Sequence, residues 1–535
     1  MEFLDCTLRD GGYVNDWQFP RDVVDQYMES VKGAPISYIE IGFRSLESNP
    51  INGLFAYTPP QEIKRFRLKL PNKKIGVMIN TKEVIDLASG ASDWMGRFGV
   101  TQLNTQENPD FVRLATNPSD LEKLREILTQ STRKATGIEL MLNVMQAHTL
   151  EDFSVFADPI WSHHFSTIYL ADSFGSLTPK DVRELTECLS RVWKGRIGFH
   201  AHDNLGLATI NSFEALENGA SMVDGTIRGM GRGAGNAAME SLLLQAEVPE
   251  SQWGEIRGLS QNQFNQIQKI LPWGTNIYYR LSGLNKVHPS FVQAVLAEKR
   301  YSGEDVFQAI LEIGKTGRAA KFSPDLIDDV YKQTLPHSPG ETDPTTVFSE
   351  QNLVLLARGK SASGKEEVID FLRSQSSTAT VAINSPSLEP AVHFDYLVMN
   401  NPFRMRLEKR FAAKYQSALI APISAAKEFG IDFPSLGLDI GFSQLAKCAN
   451  NDDLIEQISR SSVLYAIAIG IESGVKRFIL IGVDGKRPNG STDEDFLRGL
   501  NEIQQISGVE ILSIDENSNG IPVINPFLEW GQNEL

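Results

Sequence analysis

The stretch Phe199-His200-Ala201-His202-Asp203-Asn204 closes a short apolar run, Arg196-Ile197-Gly198-Phe199. Side chains alternate along a strand with period two, so His200 and His202 face the same way. Two imidazoles aimed at one volume suit a metal ion once a carboxylate joins them. The alternative is a barrel interior in which each ring finds its own hydrogen bond. Two further stretches bear on the choice. Thr7-Leu8-Arg9-Asp10-Gly11-Gly12-Tyr13 sets an arginine and an aspartate before paired glycines. Gly229-Met230-Gly231-Arg232-Gly233-Ala234-Gly235-Asn236 is glycine-rich, so its backbone can approach a site closely and deliver Asn236.

The elements that must position these residues are short. β-rich runs occur at Phe3–Leu8, Tyr38–Ile41, Ile75–Asn80, Phe111–Ala115, Ile138–Val144, Thr167–Ala171, Ile197–His200 and Met222–Ile227. Each precedes a segment long enough for a returning helix. That alternation predicts a closed (β/α)8 TIM barrel, with an open doubly wound sheet as the competing reading. Closure sets strand 1 beside strand 8, so strands 7 and 1 lie two positions apart, on the order of 10 Å. Inward side chains bridge that span, and Asp10, His200 and His202 converge, with Asn236 as a fourth ligand. One carboxylate, two imidazoles and an amide oxygen form a mixed, rather hard set. It suits Mn²⁺ or Mg²⁺, and Co²⁺ or Zn²⁺ can also bind it. Such an ion acts as a Lewis acid on a 2-oxo acid and its enolate, with Arg9 as a fixed positive charge for the same oxygen.

At 535 residues the chain exceeds what one hydrophobic core supports. The expected division is a barrel over 1–245, a helical extension completing the active site over 246–335, a turn-rich linker over 336–348, and a smaller Rossmann-like α/β domain over 349–535. In that last domain Gly359–Lys365 matches G-x-x-x-x-G-K, but Glu366 stands where a P-loop needs Ser or Thr, so the stretch reads as a glycine-rich turn at a helix N-terminus. Asn400, Asn401, Arg404 and Asp484 are its pocket candidates. No apolar run reaches the length of a membrane span, the acidic N-terminus lacks the basic region of a signal peptide, and three scattered cysteines suit a reducing cytoplasm. A net charge of −16 argues against nucleic acid as a partner. The expected partners are small molecules, a 2-oxo acid and an aldehyde, and a homo-oligomer is expected.

Together the three motifs, Leu4-Asp5-Cys6-Thr7-Leu8-Arg9-Asp10-Gly11-Gly12, Phe199–Gly206 and Gly231–Asn236, resemble those of the DRE-TIM metallolyases, nearest the 4-hydroxy-2-oxovalerate aldolase branch. The resemblance covers roughly residues 1–300. It implies a divalent ion on Asp10, His200 and His202 with Asn236 nearby, Arg9 as the enolate-stabilising group, and pyruvate as donor or product. It also implies that Ser173 holds the substrate carboxylate. One departure matters: where those aldolases carry a histidine that moves the hydroxyl proton, this chain has Tyr13, a poor base at neutral pH. His288 falls about where they carry a tyrosine, which makes an exchange of the two roles conceivable. Glu40 is expected to orient Arg9, and Arg44 and Asn143 lie near strand mouths as substrate contacts or loop anchors. The function expected is a class II aldolase joining pyruvate to an aldehyde, or cleaving the product, with a sugar derivative of surface-polysaccharide biosynthesis as acceptor. The alternatives are an acetyl-CoA-dependent Claisen enzyme of the isopropylmalate synthase type, and a retired barrel acting as a sugar-nucleotide-binding or scaffold protein.

Overall fold

Strands buried on both faces read as nearly continuous apolar runs, and the first half of the chain builds eight of them. They are β1 (Glu2–Asp5), β2 (Tyr38–Phe43), β3 (Lys74–Asn80), β4 (Phe111–Thr116), β5 (Glu139–Val144), β6 (Thr167–Asp172), β7 (Arg196–Ala201) and β8 (Met222–Gly225). The computed structural model describes residues 1–87, 94–100, 106–130, 137–297, 303–331, 333–357, 365–384, 394–408, 418–431, 437–448, 451–485, 492–514 and 520–531. Its first compact unit closes at Gln293 and its second begins at Ala294.

In the first unit β1 pairs in parallel with both β2 and β8, which closes the barrel. The interior is layered by the pleat. Leu4, Tyr38, Phe111, Met141, Tyr169 and Met222 form an apolar floor with Cys6. Two residues further along the strands, and so on the same face, stand Glu40, Arg113, Asn143, His200 and Asp224, all buried. The floor keeps water from reaching these charged groups from below, which strengthens every interaction between them.

The first strand ends earlier than its sequence suggests. Thr7–Asp10 is a turn of helix, not strand. The Asp5 carboxylate accepts the Thr7 amide at 2.9 Å and the Thr7 hydroxyl at 3.0 Å, a local turn that competes with the sheet ladder. Asp10 therefore reaches the mouth from a helical turn.

The second unit is a seven-stranded parallel sheet: β9 (Asn352–Leu356), β10 (Thr378–Ile383), β11 (Tyr396–Val398), β12 (Ala418–Ala421), β13 (Leu438–Asp439), β14 (Arg477–Ile481) and β15 (Glu510–Ser513). The order across it is β13-β12-β11-β10-β9-β14-β15, so the winding reverses at β9. The two-residue β13 is too short to show a period in sequence. Two helices precede β14, Asp452–Arg460 and Ser462–Ser473, bent by 119°. The break falls at Ser461, whose side chain caps the second helix at the Leu464 amide. The glycine-rich turn at 359–364 lies outside the described residues. No single helix among the described residues is long and apolar enough to cross a membrane.

Candidate metal centre

The polar groups of the barrel interior and mouth stand on its strands or on the turns that follow them. Arg9 donates from Nε to Glu40 Oε2 at 2.7 Å and from Nη1 to Asp10 Oδ1 at 2.6 Å. Glu40 also accepts two bonds from Arg113, at 2.9 and 2.5 Å. Arg113 reaches Asp224 at 2.5 Å, and Asp224 meets His200 Nδ1 at 2.8 Å. His200 Nε2 lies 3.8 Å from Asp10 Oδ2. The six side chains close a circuit inside the barrel. Arg113 also stacks over Tyr169 of the floor, 4.6 Å from the ring centroid.

The circuit fixes the state of each member. Bonded to a carboxylate through Nδ1, His200 keeps its proton there and leaves Nε2 as the ligand atom. Burial alone would raise the Asp10 carboxyl; the Arg9 guanidinium beside it holds it well below the usual carboxylate range. Burial also opposes ionisation of Asp224, and Arg113 with His200 overcomes it. Burial brings His202 down to about 3 despite Asp10, so its imidazole is neutral and able to ligate.

His202 pairs across an isolated bridge with Asn236, which sets the amide beside the imidazole. Asn236 Nδ2 donates to the Met230 carbonyl at 3.1 Å, and its Oδ1 is buried with no partner. That approach needs glycine at 231, where a Cβ would lie 2.2 Å from the Asn236 nitrogen. Gly12 has the same cause: a Cβ there would meet Trp17 at 2.0 Å, and Trp17 donates to the Arg9 carbonyl.

Ligand atoms of Asp10, His200 and His202 lie within 4.8 Å of one another. Asp10 Oδ2 and Asn236 Oδ1, both buried, have no hydrogen-bond partner. Two orphaned acceptors beside two imidazoles are what a divalent cation would satisfy, so the residues fit the ion that the sequence calls for. A second grouping, Cys6, His200 and Asp224, is also compact, but it draws on the side of His200 already bonded to Asp224.

The other sequence candidates stand elsewhere in the same unit. Tyr13 sits on the turn Gly11–Val14, its ring 4.7 Å from Trp17 and 6.0 Å from Phe43. Ser173, just beyond β6, accepts the Gln146 amide at 2.9 Å. Asn143 Oδ1 is buried without a partner, as are Nε and Nη2 of Arg44 beyond β2. His288 lies 6.1 Å from the Phe174 ring, and its Nδ1 accepts the Ser290 amide at 3.3 Å. The segment carrying it is tied to the loop after β7 by Thr275 on the Asn204 carbonyl and Asn204 on Ser282. Burial, then Arg232, brings His288 down to about 3. The sequence reading overlooked Arg113 and Asp224. The available signal was a charge on the inward parity of an otherwise apolar strand, as in Phe-Val-Arg-Leu-Ala.

Fold and site together define a (β/α)8 barrel with a candidate divalent-ion centre at its mouth. The sequence profile of the HMGL-like family matches residues 115–270. The oxaloacetate decarboxylase of Mycobacterium tuberculosis is 27% identical over 342 residues, 61% of this chain and 95% of that protein. The 4-hydroxy-2-oxovalerate aldolase of Carboxydothermus hydrogenoformans is 30% identical over 251 residues, 45% of this chain and 69% of that one. Among solved structures, the N-terminal domain of a proposed aldolase from Bacteroides vulgatus is 32% identical, covering 56% of this chain and 97% of that domain with a TM-score of 0.49. The chain belongs to the HMGL-like family, and with that the expectation of a carbon–carbon lyase holds.

Proposed function

We propose that the barrel joins pyruvate to an aldehyde, or reverses that reaction, with a divalent ion on Asp10, His200, His202 and Asn236. The observation that carries this reading is the pair of buried acceptors without partners, Asp10 Oδ2 and Asn236 Oδ1, beside the imidazoles of His200 and His202. Bound there, the ion supplies Lewis-acid polarisation of the keto group.

The chain's own residues supply the remainder. Arg9 is locked through Nε and Nη1, and its Nη2 is buried with no partner, so one donor stands ready for a developing oxyanion. The Ser173 hydroxyl already accepts an amide, which frees its own proton for a substrate carboxylate. Asn143 and Arg44 offer further unpaired polar atoms. Because His288 accepts at Nδ1, its neutral ring carries the proton on Nε2 and donates from there. Tyr13 is a poor base at neutral pH but a competent acid toward the alkoxide formed on condensation.

The names of the relatives support a 2-oxo acid whose bond at C3 is made or broken, since an aldol cleavage and a decarboxylation there both leave the enolate of pyruvate. Decarboxylation of a 2-oxo diacid is the second reading. It is favoured by the M. tuberculosis relative and by Tyr13, because loss of CO₂ requires no base at a hydroxyl. Incubation of the Mn²⁺-loaded protein with pyruvate in D₂O tests the enolate. Methyl deuterons should appear and the rate should fall at least 10²-fold in Arg9→Ala. No exchange in the wild type overturns the reading, exchange on acetyl-CoA instead points to a Claisen enzyme, and CO₂ release from oxaloacetate faster than any aldol reaction selects the decarboxylase.

A further inference from the structure

The mouth contains a cation that the chemistry above does not use. Arg232 follows β8 on the glycine-rich loop and is half-buried. Its guanidinium lies 5.4 Å over the Tyr13 ring, and its Nε is buried with no partner. It forms no ion pair among the described residues, whereas Arg9 and Arg113 are each bonded to two carboxylates. Its charge acts on Tyr13, His202, Tyr279 and His288, which places it among the groups proposed to handle the acceptor. Two of its neighbours constrain it. The next residue, Gly233, has φ +63, and a Cβ there would meet the Tyr279 ring at 2.8 Å.

The charge balance gives Arg232 a purpose. In the buried circuit two guanidinium groups face three carboxylates, leaving one negative charge that a divalent ion exceeds by one. The carboxylate of a keto acid meets that excess. Arg232 remains, a half-buried cation whose Nε is buried with no partner. An isolated guanidinium on a folded loop suits a planar anion able to accept two bonds, a carboxylate or a phosphate.

We infer that Arg232 selects an acceptor aldehyde bearing an anionic group, so the substrate class is an acidic aldehyde and not a neutral one. This rests on the aldolase reading of the same site. Tyr13 then lies between the two halves of the reaction, with Arg9 on the donor side and Arg232 holding the distal end of the acceptor. The pairing also aligns the aldehyde oxygen with the acid, because a group held at its far end by a bidentate contact loses most of its orientational freedom.

The test compares matched aldehydes on the Mn²⁺-loaded full chain with pyruvate: butyraldehyde against succinic semialdehyde, and glyceraldehyde against glyceraldehyde 3-phosphate. The wild type should prefer the charged member of one pair at least 10-fold in kcat/KM, and which pair does so tells carboxylate from phosphate. Arg232→Gln should abolish the preference chiefly through KM, and Arg232→Lys should restore part of it. Calorimetry with the two charged aldehydes gives a readout that needs no turnover, with affinity at least 10-fold weaker for Arg232→Gln. Equal handling of charged and neutral aldehydes, or equal affinities of wild type and Arg232→Gln, overturns the inference. Deuterium exchange into pyruvate is scored separately and needs no aldehyde. Its absence counts against the aldolase reading, whereas exchange without charge preference counts against Arg232 alone.

Discussion

The residues that the sequence singles out as site candidates meet opposite fates in the two units. At the barrel mouth Asp10, Asn236, Asn143 and Arg9 each keep an atom that is buried and has no partner. In the second unit the residues that looked like pocket candidates are engaged by their own fold. Asn400 donates to the Ile458 and Ser459 carbonyls and accepts from Ser462. Asn401 donates to the Tyr331 carbonyl and accepts the Arg404 amide, Arg404 pairs with Asp305, and Asp484 has a partner as well. A buried polar atom left unpaired costs about 1–3 kcal/mol, so a fold retains several in one place only where something else completes them. Polar residues at strand ends are common to both units; unfilled valence is what separates a site from a scaffold.

Asp224→Asn should break that contrast most severely. The substitution removes the charge that orients His200 and half of what holds Arg113, so two effects follow at once. Divalent-ion affinity, read by titration of metal-free protein, should fall about 10–100-fold. Stability, read from urea midpoints without metal, should fall by about 3–5 kcal/mol because Arg113 is left buried with one partner fewer. A loss of stability with unchanged ion affinity would show that the circuit supports the barrel without tuning the centre.

A smaller effect follows from pH. His202 has its folded value near 3, below the ordinary 6.5 of an imidazole, because burial disfavours the charged ring. Between those values the unfolded chain takes up a proton that the folded chain refuses. Stability of the metal-free protein should therefore fall as pH drops from about 6.5 toward 3, by up to about 4 kcal/mol from this group. Urea midpoints measured across that window in EDTA should decline more gently in His202→Gln. Parallel slopes would mean that the ring is hydrated in solution and that the mouth is wetter than its burial indicates.

How much of this was legible in sequence depended on the range of the interaction. The barrel, with its eight strands, and the grouping of Asp10 with two histidines follow from period-two alternation and from closure, both of which a single chain displays. The end of β1 at Asp5 was hidden because a side-chain turn there outcompeted a strand propensity that continues through Leu8. Arg113 and Asp224 were missed because each is a lone charge in an apolar strand, and only the register that sets β4 and β8 around one interior shows that they answer one another. In the second unit the break at Ser461 was written in the sequence as a capping serine between two helical stretches.

The mildest prediction bears most directly on the contrast between the units. If engaged polar groups are structural, Asn400→Ala should cost stability alone. The substitution removes one bond each from the Ile458 and Ser459 carbonyls and the Ser462 hydroxyl at a fully buried position, which predicts a loss of about 1–3 kcal/mol. Deuterium exchange into pyruvate, per folded molecule, should be unchanged. Asn400→Asp keeps the shape but turns two donated bonds into repulsions between oxygens, so it should cost more than alanine. A ligand site would show the reverse order, with alanine nearly neutral in stability and any effect appearing in binding. Urea midpoints for the two variants, measured beside the exchange rate, therefore decide whether a satisfied amide at the end of β11 is framework or a site whose ligand the fold already imitates.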